Sequence, residues 1–152
     1  MPHSPLLVRP MREELTSAGV EELTTPQQVD DWMRSASGTA LLVVNSVCGC
    51  AAGMARPGVR LALGHERRPE RLATVFAGQD LEATAQARSY IPHIPPSSPS
   101  VALFKDGELV WFLPRHRIEG RSAEQVAGDL KAAFDEHCAE VAAASAAGTA
   151  GV

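Results

Sequence analysis

Cysteine is scarce in this chain. There are three in 152 residues, an odd number that cannot pair off completely, which excludes a disulfide scaffold. Basic charge is in deficit, with 14 Lys and Arg against 18 Asp and Glu and a net charge of −4. Without a broad basic surface, the expectation is no nucleic acid partner. Long apolar runs are missing as well, and none approaches the roughly 20 residues that cross a bilayer, so no membrane is expected either. The opening Met1-Pro2-His3-Ser4-Pro5 has neither the charged n-region nor the apolar h-region of a signal peptide. A reducing cytoplasm is therefore the expected compartment, and there a close cysteine pair is catalytic or metal-binding rather than a structural bridge. What remains is ordinary for a soluble globular protein, with 45% hydrophobic and 21% charged residues in a chain long enough for one domain with a real core.

Two of the three cysteines stand one residue apart, in Cys48-Gly49-Cys50. An apolar, strand-like run precedes them and an Ala/Gly/Met segment of helical composition follows. That spacing puts sulfur at a strand-to-helix turn, where the first helical N–H groups and the helix dipole stabilise a thiolate. The thiolate is the reactive form, so the pattern points to thiol–disulfide chemistry.

The remaining elements follow from periodicity and punctuation. Met11 to Leu15 has helical spacing and frays by Gly19. A better helix starts at Thr25-Pro26, with Thr25 as N-cap and Gln28 at the capping-box position, and ends around Ser37-Gly38. Thr39 to Val47 reads as a strand, and its run Leu41-Leu42-Val43-Val44 suits a central strand covered on both faces. Ala51 to Leu63 is helical with a kink expected at Pro57, and Gly64 caps it. Leu72 to Phe76 is a strand, and Leu81 to Ser89 a helix with Asp80 as N-cap. Pro92 to Pro99 is a loop. Val101–Phe104 and Leu109–Leu113 form a hairpin through Asp106-Gly107. Ser122, with Gln125 three residues on, opens a long helix to Val141. Ala142–Val152 carries no charged side chain and is expected to fray. Only Glu21–Thr24 leaves room for an additional first strand.

This order, strand–helix–strand followed by helix, hairpin and final helix, is the thioredoxin layout. The expected fold is α/β and thioredoxin-like, with a central mixed β-sheet flanked by helices and an extra N-terminal helical segment. A single domain is expected over 1–152, with an ordered core over roughly 6–141. The stretch Pro99 to Gly107 resembles the strand after the cis-proline of thioredoxins, which implies that Ser98–Pro99 is cis and packs beside the active-site sulfur. The stretch Val43-Val44-Asn45-Ser46-Val47-Cys48-Gly49-Cys50-Ala51-Ala52-Gly53 resembles the bacilliredoxins, thioredoxin-fold proteins with CGC in place of CxxC. Arg117-Ile118-Glu119-Gly120-Arg121 and Phe134-Asp135-Glu136-His137-Cys138 also fit that family.

The resemblance implies a thiol–disulfide oxidoreductase that removes bacillithiol, a thiol built from cysteine, glucosamine and malate, from protein cysteines. Cys48 would be the nucleophile and Cys50 the resolving thiol. No cofactor is implied; bacillithiol is a cosubstrate and bacillithiolated client proteins are the partners. A bridge between residues i and i+2 is tight, and Gly49 eases it by taking backbone angles that other residues avoid. Such a bridge is readily reduced, which implies an oxidising potential and a poor general reductant. Pro99 either presents backbone to an incoming disulfide partner or forms an ordinary trans turn. Ser98, Arg56, His116 and Arg117 are the candidate substrate-binding residues. Arg56 binds a carboxylate, assists the thiolate or is simply solvated. Arg115-His116-Arg117 holds the malate or is a solvated loop. Asn45 and Ser46 satisfy backbone groups at the turn or hydrogen-bond a sulfur. Cys138 is a buried, inert thiol or a second resolving one. Arg67, Arg68 and Arg71 read as a solvated turn, and an exposed face around Trp111 is a candidate for a homodimer. The alternatives in function are a general disulfide isomerase, a soft-metal protein using Cys48 and Cys50 with His116 or Cys138, and a non-catalytic interaction domain. Five scattered histidines without ligand spacing speak against the metal reading.

Overall fold

The computed structural model of the chain describes residues 2–35 and 37–140. In chain order the elements are α1 (Pro5–Thr16), β1 (Glu21–Glu22), α2 (Pro26–Arg34), β2 (Thr39–Asn45), a π-helical turn (Ala51–Ala55) leading into α3 (Arg56–Ala62), β3 (Arg71–Phe76), α4 (Leu81–Arg88), β4 (Ser100–Lys105), β5 (Glu108–Leu113), a 3₁₀ turn (Arg115–Arg117) and α5 (Ala123–His137). The sheet order is β1-β3-β2-β4-β5, with β1, β3 and β2 parallel and β4 and β5 antiparallel. The two-residue β1 occupies the only room the sequence leaves for a first strand.

Alternation along the central strands divides the core. Leu41 and Val43 of β2, with Val101 and Leu103 of β4, face Val59 of α3 and Val126, Leu130 and Phe134 of α5. Leu42, Val44, Ala102 and Phe104 face Val29, Trp32 and Met33 of α2 and Ala83 and Ala87 of α4. Every residue of β2 is buried, as a strand covered on both faces requires. The hairpin between β4 and β5 turns through Asp106 and Gly107, both with positive φ (51° and 84°). The chain closes on α5, where Ser122 and Gln125 form a reciprocal capping box.

Several boundaries differ from expectation for identifiable reasons. Helix α1 runs from Pro5 rather than Met11, because Ser4 caps it and Pro5 fits the first turn. Pro10 removes one ladder bond, the one to Leu6, whose side chain is 72% exposed. Helix α2 stops at Arg34. Its Thr25 accepts the Gln28 N–H, but the Gln28 side chain accepts from the Thr24 N–H, so the capping box is only half made. Strand β2 ends at Asn45, not Val47. Asp80 precedes α4 without capping it, because its carboxylate is taken by the Arg12 guanidinium at 2.7 and 3.1 Å. Helix α5 stops at His137: Cys138 is extended, and its carbonyl is held by Arg67 at 3.0 Å while Glu140 bridges to Arg67. Val141 and the expected frayed tail lie outside the described residues. Arg67, Arg68 and Arg71 are not a solvated turn: Arg68 donates to the Leu63 carbonyl, and Arg71 lies 4.7 Å over the Trp32 ring.

Proline at position 57 produces a π-turn instead of a simple kink. The Arg56 N–H reaches back five residues to the Ala51 carbonyl. The wider turn absorbs the missing Pro57 donor and lets the helix continue into α3.

Candidate active site

Strand β2 delivers the chain to Asn45, and a short turn through Ser46 and Val47 brings Cys48 to the helix start. The Ala51 and Ala52 N–H groups both bond to the Cys48 carbonyl, at 3.1 and 3.2 Å, so Cys48 opens the helix and its sulfur lies near the Cys50 and Ala51 N–H groups of the first turn. The Ser46 hydroxyl donates to Cys48 Sγ at 3.1 Å, and the same oxygen accepts from the Cys48 N–H at 3.4 Å. Asn45 serves the backbone instead: its Oδ1 accepts the Ser46 N–H at 2.9 Å and its Nδ2 donates to the Met11 carbonyl at 3.2 Å. The two residues therefore divide the roles left open by the sequence.

Arg56 is only 1% exposed. Its Nε meets Glu14 Oε2 at 3.0 Å, and its Nη1 donates to Asn45 Oδ1 at 2.9 Å and to the Ser46 carbonyl at 2.7 Å. It is neither solvated nor free for a substrate carboxylate. It ties the turn before Cys48 to α1. Its pairing with Glu14 spans 42 positions, a contact that local periodicity does not reveal.

The two thiols are not equivalent. Burial pushes the Cys48 thiol up, but the Ser46 hydroxyl, the nearby Ala51 and Cys50 backbone N–H groups and the Cys50 thiol outweigh it, leaving Cys48 below the ordinary thiol value. Cys50 moves the opposite way. Burial, the Cys48 charge, the hydrogen bond to Cys48 and the nearby Glu119 raise it, against a smaller lowering by Arg115. Cys48 is therefore the more acidic thiol and Cys50 the less acidic one, the order that a nucleophile beside a resolving thiol requires. Gly49 does not use its conformational freedom in this dithiol state. Its φ is not positive, and a Cβ added there would meet nothing within 4 Å.

Ser98–Pro99 is cis, as the resemblance implies. The β2–β4 register pairs Val44 with Ser100, so Pro99 continues one step past the last pair, toward Asn45 at the foot of the turn that carries Cys48. The Ser98 carbonyl accepts from Arg115 Nη1 at 3.4 Å, and Arg115 Nε meets Glu119 Oε2 at 3.2 Å. The same carboxylate oxygen lies 3.7 Å from Cys50 Sγ. Within the basic cluster it is thus Arg115 that reaches the thiols. His116 is exposed and borders a groove of about 390 Å³ with Ile94, Pro95, Pro96, Ser97, Phe112 and Pro114. Arg117 turns toward α5, beside Trp111 and Asp129. Glu119 escaped the sequence reading as a site residue, because 69 positions separate it from Cys50. The buried Ile118 that anchors its segment is the one local signal.

Cys138 is 3% exposed and burial pushes its thiol up. It sits beside the Thr39 hydroxyl at the start of β2, whereas Cys48 follows the end of that strand. A seven-residue strand separates them by roughly 20 Å. Cys138 therefore cannot resolve Cys48, nor join it in a metal site. Among the described residues no three His, Cys, Asp or Glu side chains gather closely enough to hold a metal ion, and no helix is long and apolar enough to cross a membrane.

Comparison with known proteins agrees with this geometry. A family profile described as disulphide isomerase matches residues 3–138. A bacilliredoxin of Cytophaga hutchinsonii is 57% identical over 86% of this chain and 96% of its own length. A bacilliredoxin of Halalkalibacterium halodurans is 55% identical over 87% and 92%. One of Koribacter versatilis is 51% identical over 91% and 96%. Among solved structures, thioredoxin from Malassezia sympodialis aligns with a TM-score of 0.50 at 14% identity, covering 78% of this chain and 90% of that one. Another structure described by its thioredoxin fold aligns with a TM-score of 0.52 at 15% identity, covering 70% and 92%. With a thioredoxin fold and two inequivalent thiols at the turn after β2, the chain is a thiol–disulfide oxidoreductase and belongs to the bacilliredoxin family.

Proposed function

We propose that this protein removes bacillithiol from mixed disulfides on client proteins. The Cys48 thiolate attacks the bacillithiol sulfur of the mixed disulfide. The client sulfur leaves with the bonding electron pair and takes up a proton, and bacillithiol remains on Cys48. Cys50 then gives up its proton and attacks Cys48 Sγ. Bacillithiol departs as a thiolate, leaving a Cys48–Cys50 disulfide for an external low-molecular-weight thiol to reduce. Bacillithiol acts as cosubstrate, and no cofactor takes part. The expected setting is the reducing cytoplasm.

The observation that carries this reading is the asymmetry of the pair: the Ser46 hydroxyl donates to Cys48 Sγ at 3.1 Å and the helix start favours its thiolate, while the Glu119 carboxylate 3.7 Å from Cys50 Sγ disfavours the thiolate there. The edge formed by Ser98, Pro99 and the groove at His116 would receive the client. Arg115, at the thiols, would meet the malate carboxylates. The description of the matching family profile favours a second reading, a general disulfide isomerase.

Incubating the Cys50→Ala variant with a bacillithiolated client separates the two. Intact mass spectrometry is expected to find bacillithiol on Cys48 and the client thiol freed, with no adduct on Cys48→Ala. A client that stays modified while the protein still rearranges scrambled disulfides overturns the bacillithiol reading in favour of isomerisation.

A further inference from the structure

Cys50 needs a group to take its proton once Cys48 has reacted. In the dithiol state its neighbours are Cys48, Arg115 and Glu119. When Cys48 is tied up in a mixed disulfide its negative charge is gone, and with it the acceptor for the Cys50 thiol. The Glu119 carboxylate, 3.7 Å from Cys50 Sγ, is then the acceptor left in contact. It is also a held group. Ile118 is fully buried and anchors the segment. Arg115, one helical turn earlier, fixes the same Glu119 oxygen at 3.2 Å. Arg115 is itself fastened to the client edge, through the Ser98 carbonyl at 3.4 Å and through its own N–H to Ser97 Oγ at 3.3 Å.

We propose that Glu119 is a catalytic residue of the second step, the general base that takes the Cys50 proton as Cys50 attacks Cys48, with Arg115 as its positioning residue. The proposal rests on Cys50 being the resolving thiol, but not on the identity of the thiol released. The proton passes from Cys50 Sγ to the Glu119 carboxylate. The new bond forms between the Cys50 and Cys48 sulfurs, the bond from Cys48 to the departing sulfur breaks, and its electron pair leaves with that sulfur. The departing thiolate is protonated through solvent by the Glu119 carboxylic acid, which restores the carboxylate. Cys50 is the electron donor, so no outside reductant enters this step.

The alternative role for Glu119 is purely electrostatic, and it predicts an effect of opposite sign. A negative charge beside Cys50 disfavours its thiolate, so removing that charge would speed the attack. Removing a base slows it.

One equivalent of 5,5′-dithiobis(2-nitrobenzoate) tests this by stopped flow. Attack by Cys48 releases one thionitrobenzoate, and attack by Cys50 releases a second. In Glu119→Gln the second release is expected to slow about a hundredfold, the lower end of what a positioned acid–base group contributes. The first release is expected to continue, and Glu119→Asp to recover part of the second. Wild type is expected to show a pH-independent stretch of the second rate near neutrality that Glu119→Gln lacks. A second release equal to or faster than wild type, superimposed pH profiles, or both releases slowed alike would overturn the proposal. A single release from wild type would instead show that Cys50 does not resolve Cys48, removing the premise and the proposal together.

Discussion

Ser46 donates its hydroxyl to Cys48 Sγ at 3.1 Å, a hydrogen bond that the thiolate uses more fully than the thiol. Ser46→Ala removes it while leaving the helix start intact. Losing about 1 kcal/mol of net hydrogen bonding lowers thiolate reactivity at neutral pH about fivefold. Iodoacetamide trapping across pH, read by peptide mass, checks this. In wild type, Cys48 reactivity is expected to rise at a pH below the ordinary thiol value, because its thiolate is favoured, and Cys50 reactivity above it. In Ser46→Ala the Cys48 curve moves toward higher pH. The same hydrogen bonds bear on redox poise. They stabilise the reduced state and vanish when the bridge forms, and stabilising the reduced form makes a disulfide more oxidising. Equilibration with a glutathione redox buffer is expected to give a potential less negative than the about −270 mV of thioredoxin. A value at or below that figure would contradict the argument.

Helix α3 reaches α5 over Gly58. A Cβ at that position would lie 2.7 Å from Val126 Cγ1 and 3.2 Å from the Ala123 carbonyl oxygen, the latter a backbone atom. Gly58→Ala is expected to cost about 1–3 kcal/mol by overpacking, measured as a lower urea midpoint at unchanged slope. Arg56 acts between elements rather than within one. Arg56→Met leaves the Asn45 and Ser46 acceptors and the Glu14 carboxylate without their donor, at about 2–3 kcal/mol, and loosens the turn that carries Cys48. Its urea midpoint and its Cys48 alkylation rate are both expected to fall. These contacts also explain what the sequence did and did not disclose. Strands β2 to β5, α2, the hairpin and the capped start of α5 were legible because their signals are local: apolar runs, Asp106-Gly107, and Ser122 with Gln125. The beginning of α1 was not: the helical spacing is evident only from Met11, whereas the helix starts on the Ser4 cap and passes Pro10 with one ladder bond lost at an exposed site. The thiols were legible from Cys48-Gly49-Cys50. Their partners Arg115 and Glu119 were not singled out as such, because folding brings them in from 65 or more positions away and no local period marks them.

The ends of β2 set the geography of the whole molecule, with the Cys48-Gly49-Cys50 turn at one end and Cys138 at the other. Cys138→Ala is expected to leave thiol transfer unchanged, and in the native protein Cys138 is expected to resist alkylation until the chain unfolds. Rapid labelling of Cys138 under native conditions would contradict its placement. Helix α1 also belongs to the molecular scale. It meets Asn45 through the Met11 carbonyl, Arg56 through Glu14 and Asp80 through Arg12. The strands and helices that define the fold begin at Glu21, and a boundary drawn from architecture alone would fall there. A chain trimmed to that boundary would keep all five strands and both thiols, yet the footing of the turn that carries them would have been cut away with the first twenty residues.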